Sequence, residues 1–337
     1  MTTRVAIAGF GAWGQMHARA IGAIDDAEVV AIYCHGENSE AAAKQVLPTA
    51  ARYRDYDAML RAGGFDVVNV TVPNHAHAAF TIAALEAGKH VFAEKPLGLT
   101  LAECDAVIAA EARTGKLVAL DHELRVSKQW GAVRDLVARG ELGEVRYQHF
   151  SLFRHPFRQG SGGWRYDPDR VGSWILEELV HFFDLILWYG AENGTPVRVG
   201  ALGNGRGGGL VDNFVTTLEW ADGSTAVLSQ CLAGFEHHSL LEIAGTEGSA
   251  RTWWSGALDR TLTPTFELKA KRKGGEVETV QVPLSGEVFE LEENIRQAYA
   301  GFAAGRSILS PRETRASVAV CLAAEKAFRT QTTITLD

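Results

Sequence analysis

The chain has few cysteines, and none of them are paired in a redox or metal-binding spacing. Cys34, Cys104, Cys231 and Cys321 stand far apart, with no CxxC among them. That excludes a disulfide scaffold and a cysteine-built zinc site, and makes a reducing cytoplasm the simplest setting. Also missing is any apolar run approaching the ~20 residues of a membrane span. The N-terminus passes through Thr2, Thr3 and Arg4 straight into Val5-Ala6-Ile7-Ala8-Gly9, too short for a signal sequence and readable as a first strand. Basic residues are not in excess either: 33 Lys and Arg against 41 Asp and Glu give a formal charge of −8. Nucleic acid and anionic membrane both demand a basic footprint, so a small molecule is the expected ligand.

What is present is an ordinary globular composition, 46% hydrophobic and 22% charged, in 337 residues. That length exceeds one typical core and predicts two domains with a cleft between them. From residue 4 to about 121 short apolar runs (5–9, 29–33, 67–72, 90–93, 117–120) alternate with helical segments (15–24, 40–47, 76–87). This is the pattern of βαβ units on a parallel sheet. Thr100 with Glu103 forms a capping box for a helix running to about Thr114. Beyond residue 145 the runs 147–153, 214–220 and 225–232 alternate with period two, as in a mainly antiparallel sheet covered on one face. Helices are expected at 173–189, 288–304 and 311–329, the last opened by Ser310, Pro311 and Glu313. The fold class is therefore α/β: a doubly wound Rossmann domain over 1–121, then an α+β domain over 122–337, with the helix at 311–329 packing back on the first domain. No internal repeat is visible. The glycine-rich stretch at 203–209 reads as a loop; without a following helix it makes a poor phosphate cradle.

The first strand ends in Gly9-Phe10-Gly11-Ala12-Trp13-Gly14 and leads into a helix, which is GxGxxG in the context a dinucleotide fingerprint requires. Gly9 allows the tight turn, Gly11 the approach of a pyrophosphate, and Gly14 the packing of helix on strand, with the anion on the helix N-terminus. An acid about 20 residues on commonly binds the ribose hydroxyls of NAD. Here position 34 is Cys, followed by His35, and Glu37 is the nearest acid. The choice leans to NADP(H), His35 being able to donate to a 2′-phosphate, with NAD(H) open.

Three further segments fall at strand ends: Pro73-Asn74-His75-Ala76-His77 after Val72, Glu94-Lys95-Pro96, and Asp121-His122-Glu123-Leu124-Arg125. Ligands of open α/β sheets bind there. With GxGxxG, Ala84-Leu85-Glu86-Ala87-Gly88-Lys89-His90, Gly140-Glu141-Leu142-Gly143 and the helix bearing His181, these segments make nearly the whole chain resemble the Gfo/Idh/MocA oxidoreductase family. The resemblance implies that Lys95 binds the reacting oxygen and the nicotinamide region and that Glu94 lies beside the cofactor, with Ala12, Trp13, Val72, Pro73, Asn74 and His77 completing the contact. It makes His181 the acid/base, with Glu177 in a position where the family usually carries Asp. The chemistry agrees: a lysine can stabilise a developing alkoxide, and an imidazole suits a hydroxyl proton. On an α-helix Glu177 and His181, four apart, share a face. Asp184, a turn beyond, can steady the helix or the ring.

Arg125, Trp164 and Arg165 are candidate substrate contacts, Arg165 foremost, since a guanidinium suits an anion and an indole stacks on the apolar face of a sugar. His75 and His77 lack the companions a metal site needs, and no metal is expected. The resulting expectation is hydride transfer between a nicotinamide cofactor and a secondary alcohol or ketone of a sugar, inositol or related polyol, in a cytoplasmic homodimer or homotetramer. Redox-assisted glycoside hydrolysis and a non-catalytic NAD(P)-sensing regulator are the alternatives.

Overall fold

Runs of small and β-branched apolar residues form the strands of the first sheet because both of its faces are covered. The strands are β1 (Thr3–Ala8), β2 (Ala27–Tyr33), β3 (Ala51–Tyr53), β4 (Val67–Val70), β5 (His90–Ala93) and β6 (Val118–Leu120). All pair in parallel, in the order β3-β2-β1-β4-β5-β6. Helices α1 (Ala12–Gly22), α2 (Glu37–Val46), α3 (Tyr56–Ala62), α4 (His77–Glu86) and α5 (Leu101–Thr114) connect them. The strand order reverses between β1 and β4, which opens a crevice at their carboxyl ends. The capping box of α5 is formed: Glu103 N–H donates to Thr100 Oγ1 at 3.2 Å and Thr100 N–H to Glu103 Oε2 at 3.1 Å. Gly115 then ends the helix in the left-handed region, at φ 65°.

This is a computed structural model; it describes residues 2–205 and 209–336, so residues 206–208 of the glycine-rich stretch, with the phosphate reading attached to them, lie outside the described residues. Two compact units divide the chain: Met1–His122 with Gln159–Gly172 and Leu291–Val318, and Glu123–Arg158 with Ser173–Glu290 and Ala319–Asp337. In the first unit, Leu291, Ile295, Ala298, Tyr299 and Phe302 join Val5, Ile7, Ile21, Ile32 and Phe92 in one core.

The second unit is built on nine strands: β7 (Val145–Phe153), β8 (Arg198–Asn204), β9 (Asn213–Glu219), β10 (Thr225–Cys231), β11 (His237–Gly245), β12 (Gly248–Gly256), β13 (Thr265–Arg272), β14 (Val277–Val280) and β15 (Ile334–Thr335). Their order is β14-β13-β12-β11-β7-β10-β9-β8-β15, antiparallel except for the β7–β10 pair. One face is buried through Phe150, Leu152, Phe214, Leu218, Leu228 and Leu241. Helices α6 (Lys128–Ala138) and α8 (Val180–Tyr189) cover it, Trp130 and Phe182 packing on Phe150. The remaining helices are the short α7 (Pro168–Val171), then α9 (Glu287–Ala303) and α10 (Pro311–Thr330). Among the described residues no helix is long and apolar enough to cross a membrane.

Candidate active site

The turn after β1 shows why glycine is required at two of its positions. At Gly9, with φ +102°, a Cβ would stand 2.8 Å from the Thr71 carbonyl oxygen; at Gly14 it would stand 2.2 Å from that of Gly9. The Thr71 hydroxyl donates to Gly9 O at 2.6 Å and fixes the turn from β4. Gly11 is different: nothing in the protein lies within 4 Å of where its Cβ would be. It is exposed and caps α1 with no side-chain acceptor. The first-turn N–H groups of α1 therefore face an open cradle, which suits an anion. A dinucleotide pyrophosphate fits this arrangement.

Beyond β2 the Cys34 side chain is fully buried in the core, and its N–H donates to Tyr53 O at 2.8 Å. Burial pushes its thiol up, and Arg54 and Arg52 pull the other way. What reaches solvent is His35; Glu37, the next acid, already opens α2. Arg54 pairs with Glu40 at 2.7 Å.

After β4, beyond Val72 and Pro73, the buried Asn74 donates to Val171 O at 3.1 Å, within the same unit. His77 faces Pro96 O through Nδ1 and Val72 O through Nε2, each at 2.7 Å, tying the ends of β4 and β5 together. Asn74 and His77 thus fix the loops that carry the strand-end groups, whereas His75 is exposed. Glu94, at the end of β5, is buried and accepts from the Trp13 indole N–H and from His17 Nε2. Lys95 follows, half-buried, with a cis peptide to Pro96. In the 159–172 segment the Arg165 guanidinium lies over the Trp164 ring, 4.5 Å from its centroid, and both residues are half-buried.

In the second unit, residues Ile175–Leu179 form a π-helical turn that runs into α8. Such turns recur at functional sites. Both side chains are buried. Glu123 is a carboxylate beside the imidazole, its Oε1 3.7 Å from His181 Nε2. Arg125 is held by Asp184 through two charge-assisted bonds of 2.5 and 2.7 Å, and its guanidinium lies 5.6 Å from the Trp188 ring centroid. That pairing ties Arg125 to α8 through Asp184. Arg154, largely buried, pairs with Glu178 at 2.6 Å and Asp259 at 3.4 Å.

Sequence reading placed Glu123 in a strand-end segment without giving it a role, and it missed Thr71 and the polar group around Glu94, namely His17, Asn69, Asn294 and Tyr299. Two signals were available. Asn69 is the polar member of Val67-Val68-Asn69-Val70, on a wholly buried strand where an amide must find partners. His17 lies three residues past Gly14 on the inner face of α1.

Comparison with known proteins matches both halves of the chain. The model described as an oxidoreductase family with an NAD-binding Rossmann fold covers residues 3–122, and the GFO/IDH/MocA C-terminal domain covers residues 130–251. An inositol 2-dehydrogenase of Salmonella paratyphi B is 32% identical over 206 residues, 59% of this chain and 58% of that protein. The chain thus spans less than two thirds of the length of that curated relative. Among solved structures, an aldose-aldose oxidoreductase from Caulobacter crescentus, complexed with glycerol, has a TM-score of 0.85 at 20% identity, covering 100% of both chains. A scyllo-inositol dehydrogenase from Lactobacillus casei, with bound NAD(H) and scyllo-inositol, has a TM-score of 0.82 at 21% identity, covering 99% of both. With the glycine cradle at the switch point of a six-stranded parallel sheet, the nine-stranded second sheet, and a family match in each half, the chain belongs to the Gfo/Idh/MocA oxidoreductase family.

Proposed function

We propose that the protein is a nicotinamide-dinucleotide-dependent dehydrogenase or reductase acting on a secondary alcohol, or its ketone, of a sugar, inositol or related polyol. The observation that carries this reading is the open anion cradle over Gly11, in a unit whose β5-end loop presents Lys95. The inositol and aldose enzymes among its relatives support the substrate class. Bound dinucleotide supplies a hydride acceptor or donor at the nicotinamide ring. The protein's own part is to hold the reacting oxygen and move its proton: Lys95 Nζ stabilises the oxygen as negative charge develops, and His181 takes the hydroxyl proton or returns it. Glu123 steadies the imidazole, and Glu177 positions the substrate. Arg165 and Trp164 contact the polyol as charge and apolar surface.

NADP(H) is the preferred cofactor in this reading, because no carboxylate ends β2 and exposed His35 stands there instead. Association into a homodimer or homotetramer in the cytoplasm fits the outer face of the nine-stranded sheet, where exposed Leu202 lies directly opposite exposed Val215.

A panel of polyols and sugars with NAD and NADP side by side, followed by reduced-nicotinamide absorbance, tests the activity. Turnover should fall by about 10²–10⁴-fold in Lys95→Ala and in His181→Ala, with dinucleotide affinity largely kept. Near-wild-type rates in both variants refute the assignment. A panel in which no compound reduces either cofactor returns the protein to the class of dinucleotide-sensing regulators.

A further inference from the structure

We propose that Arg54, carried at the end of β3, selects the cofactor: its guanidinium takes the 2′-phosphate of NADP, and Glu40, its partner within the protein, competes with that phosphate. Backbone bonds place Arg54 on the same edge of the sheet as the glycine cradle. Gly9 N–H donates to Tyr33 O at 3.1 Å, and Cys34 N–H donates to Tyr53 O at 2.8 Å. The ends of β1, β2 and β3 are thus laced together in parallel register, with Ala8 beside Tyr33 and Tyr33 beside Tyr53, and Arg54 follows directly. Neighbouring strands lie about 4.8 Å apart, so the Arg54 backbone starts about 10 Å from the cradle, two strands away. In a sheet of this kind the adenosine ribose lies near the end of the strand between them, where an acid reads the 2′-hydroxyl or an arginine accommodates a 2′-phosphate.

The guanidinium is only partly engaged. Nε donates to Glu40 Oε2 at 2.7 Å, and Nη2 lies 2.7 Å from that same oxygen, so the fork does not span two oxygens. Nη1 makes no hydrogen bond among the described residues. The two side chains are 44% and 43% exposed. An ion pair so open to water holds weakly, and a phosphate, with a charge of about −1.5 to −2 and three acceptor oxygens, outcompetes one carboxylate for the guanidinium.

The other charged groups of this edge are committed elsewhere. Arg52 Nη1 donates to Pro48 O at 3.3 Å and Ala50 O at 3.0 Å, and Asp55 caps α3 by accepting from Ala58 N–H at 2.8 Å. Burial raises the Cys34 thiol, with Glu40 adding to the effect and Arg54 and Arg52 opposing it, so the Arg54–Glu40 pair acts on the end of β2 itself. A guanidinium stays charged throughout the working pH range and offers a rigid fork, whereas an imidazole titrates near neutrality. Arg54 rather than His35 therefore sets the preference.

This assignment rests on the dinucleotide reading above, and calorimetric Kd values for NADP and NAD on the full chain separate the two. Arg54→Gln should raise Kd for NADP about 10–100-fold, as expected for one charge-assisted hydrogen-bonded contact, and leave Kd for NAD within about twofold. Glu40→Gln should lower Kd for NADP about two- to fivefold by freeing the guanidinium. Arg54→Lys, which keeps the charge without the fork, should fall between wild type and Arg54→Gln. Both side chains are half-exposed, so the variants should keep the unfolding midpoint of the wild type. An unchanged Kd for NADP in Arg54→Gln, an equal loss for both cofactors, or a larger loss of NADP affinity in His35→Ala than in Arg54→Gln overturns the assignment and leaves the dinucleotide reading standing. A wild-type protein that binds NAD but not NADP does the same. A protein that binds neither ends the dinucleotide reading, and the assignment with it.

Discussion

Gly11 and Gly14 occupy one sequence motif but have different physical reasons, and the difference can be measured. A methyl at position 14 would collide with the backbone oxygen of Gly9 at 2.2 Å, so Gly14→Ala should cost about 1–3 kcal/mol in stability or more, read by denaturant unfolding. A methyl at position 11 touches nothing in the protein. Gly11→Ala should therefore lose less than about 1 kcal/mol, that of a helix cap, while dinucleotide affinity measured by calorimetry falls. Equal effects of the two substitutions on stability would contradict this division. Asp184 gives a second case: it is buried and holds Arg125 by both carboxylate oxygens. Asp184→Ala leaves the part-buried guanidinium without its carboxylate, and a loss of about 2–4 kcal/mol is expected by chemical denaturation. At this scale the sequence supplied residue types. GxGxxG was legible because its chemistry is local, but whether Arg125 meets a substrate or Asp184 depends on residues 59 positions apart, a question no local pattern answers.

Among the elements, those specified by short-range chemistry were legible and those specified by packing were not. The Thr100/Glu103 and Ser310/Glu313 caps are formed where the spacing placed them, with Glu313 N–H donating to Ser310 Oγ at 3.4 Å and Ser310 N–H to Glu313 Oε2 at 2.7 Å. Thr100→Ala should accordingly cost about 1 kcal/mol, seen as a lower denaturation midpoint with an unchanged slope. Strand β3 and helix α3 escaped the reading: Ala51–Tyr53 is only three residues long and lies at the sheet edge, where no apolar run is needed. The π-helical turn at Ile175–Leu179 escaped for a different reason. Its residues, Ile-Leu-Glu-Glu-Leu, are mostly good α-helix formers, so nothing in the local sequence marks the wider turn.

For the whole molecule, the fully buried His17 links stability to pH. Its folded pKa, about 4, lies below the ordinary 6.5 because burial disfavours the charged ring. The unfolded chain therefore binds the proton first as the solution is acidified. This contribution is complete above pH 6.5 and is lost as pH falls from there through 4, for a total on the order of 3 kcal/mol. Unfolding free energies measured across that window should decline for the wild-type protein and decline less steeply for His17→Gln. Parallel slopes would show that the acid sensitivity arises elsewhere.

The sequence by itself determined the α/β class, the parallel first sheet, the antiparallel second sheet and the dinucleotide turn, since these follow from periodicity, glycine geometry and caps within a few residues of one another. Tertiary structure alone decided that Leu291, Ile295 and Tyr299 complete the core beneath β1 and β5, that Glu123 stands at His181, and that His17, Asn69, Asp121, Asn294 and Tyr299 gather around Glu94. Those arrangements join groups as far as 230 positions apart, and the burial that gives them their chemistry exists only once the chain has folded.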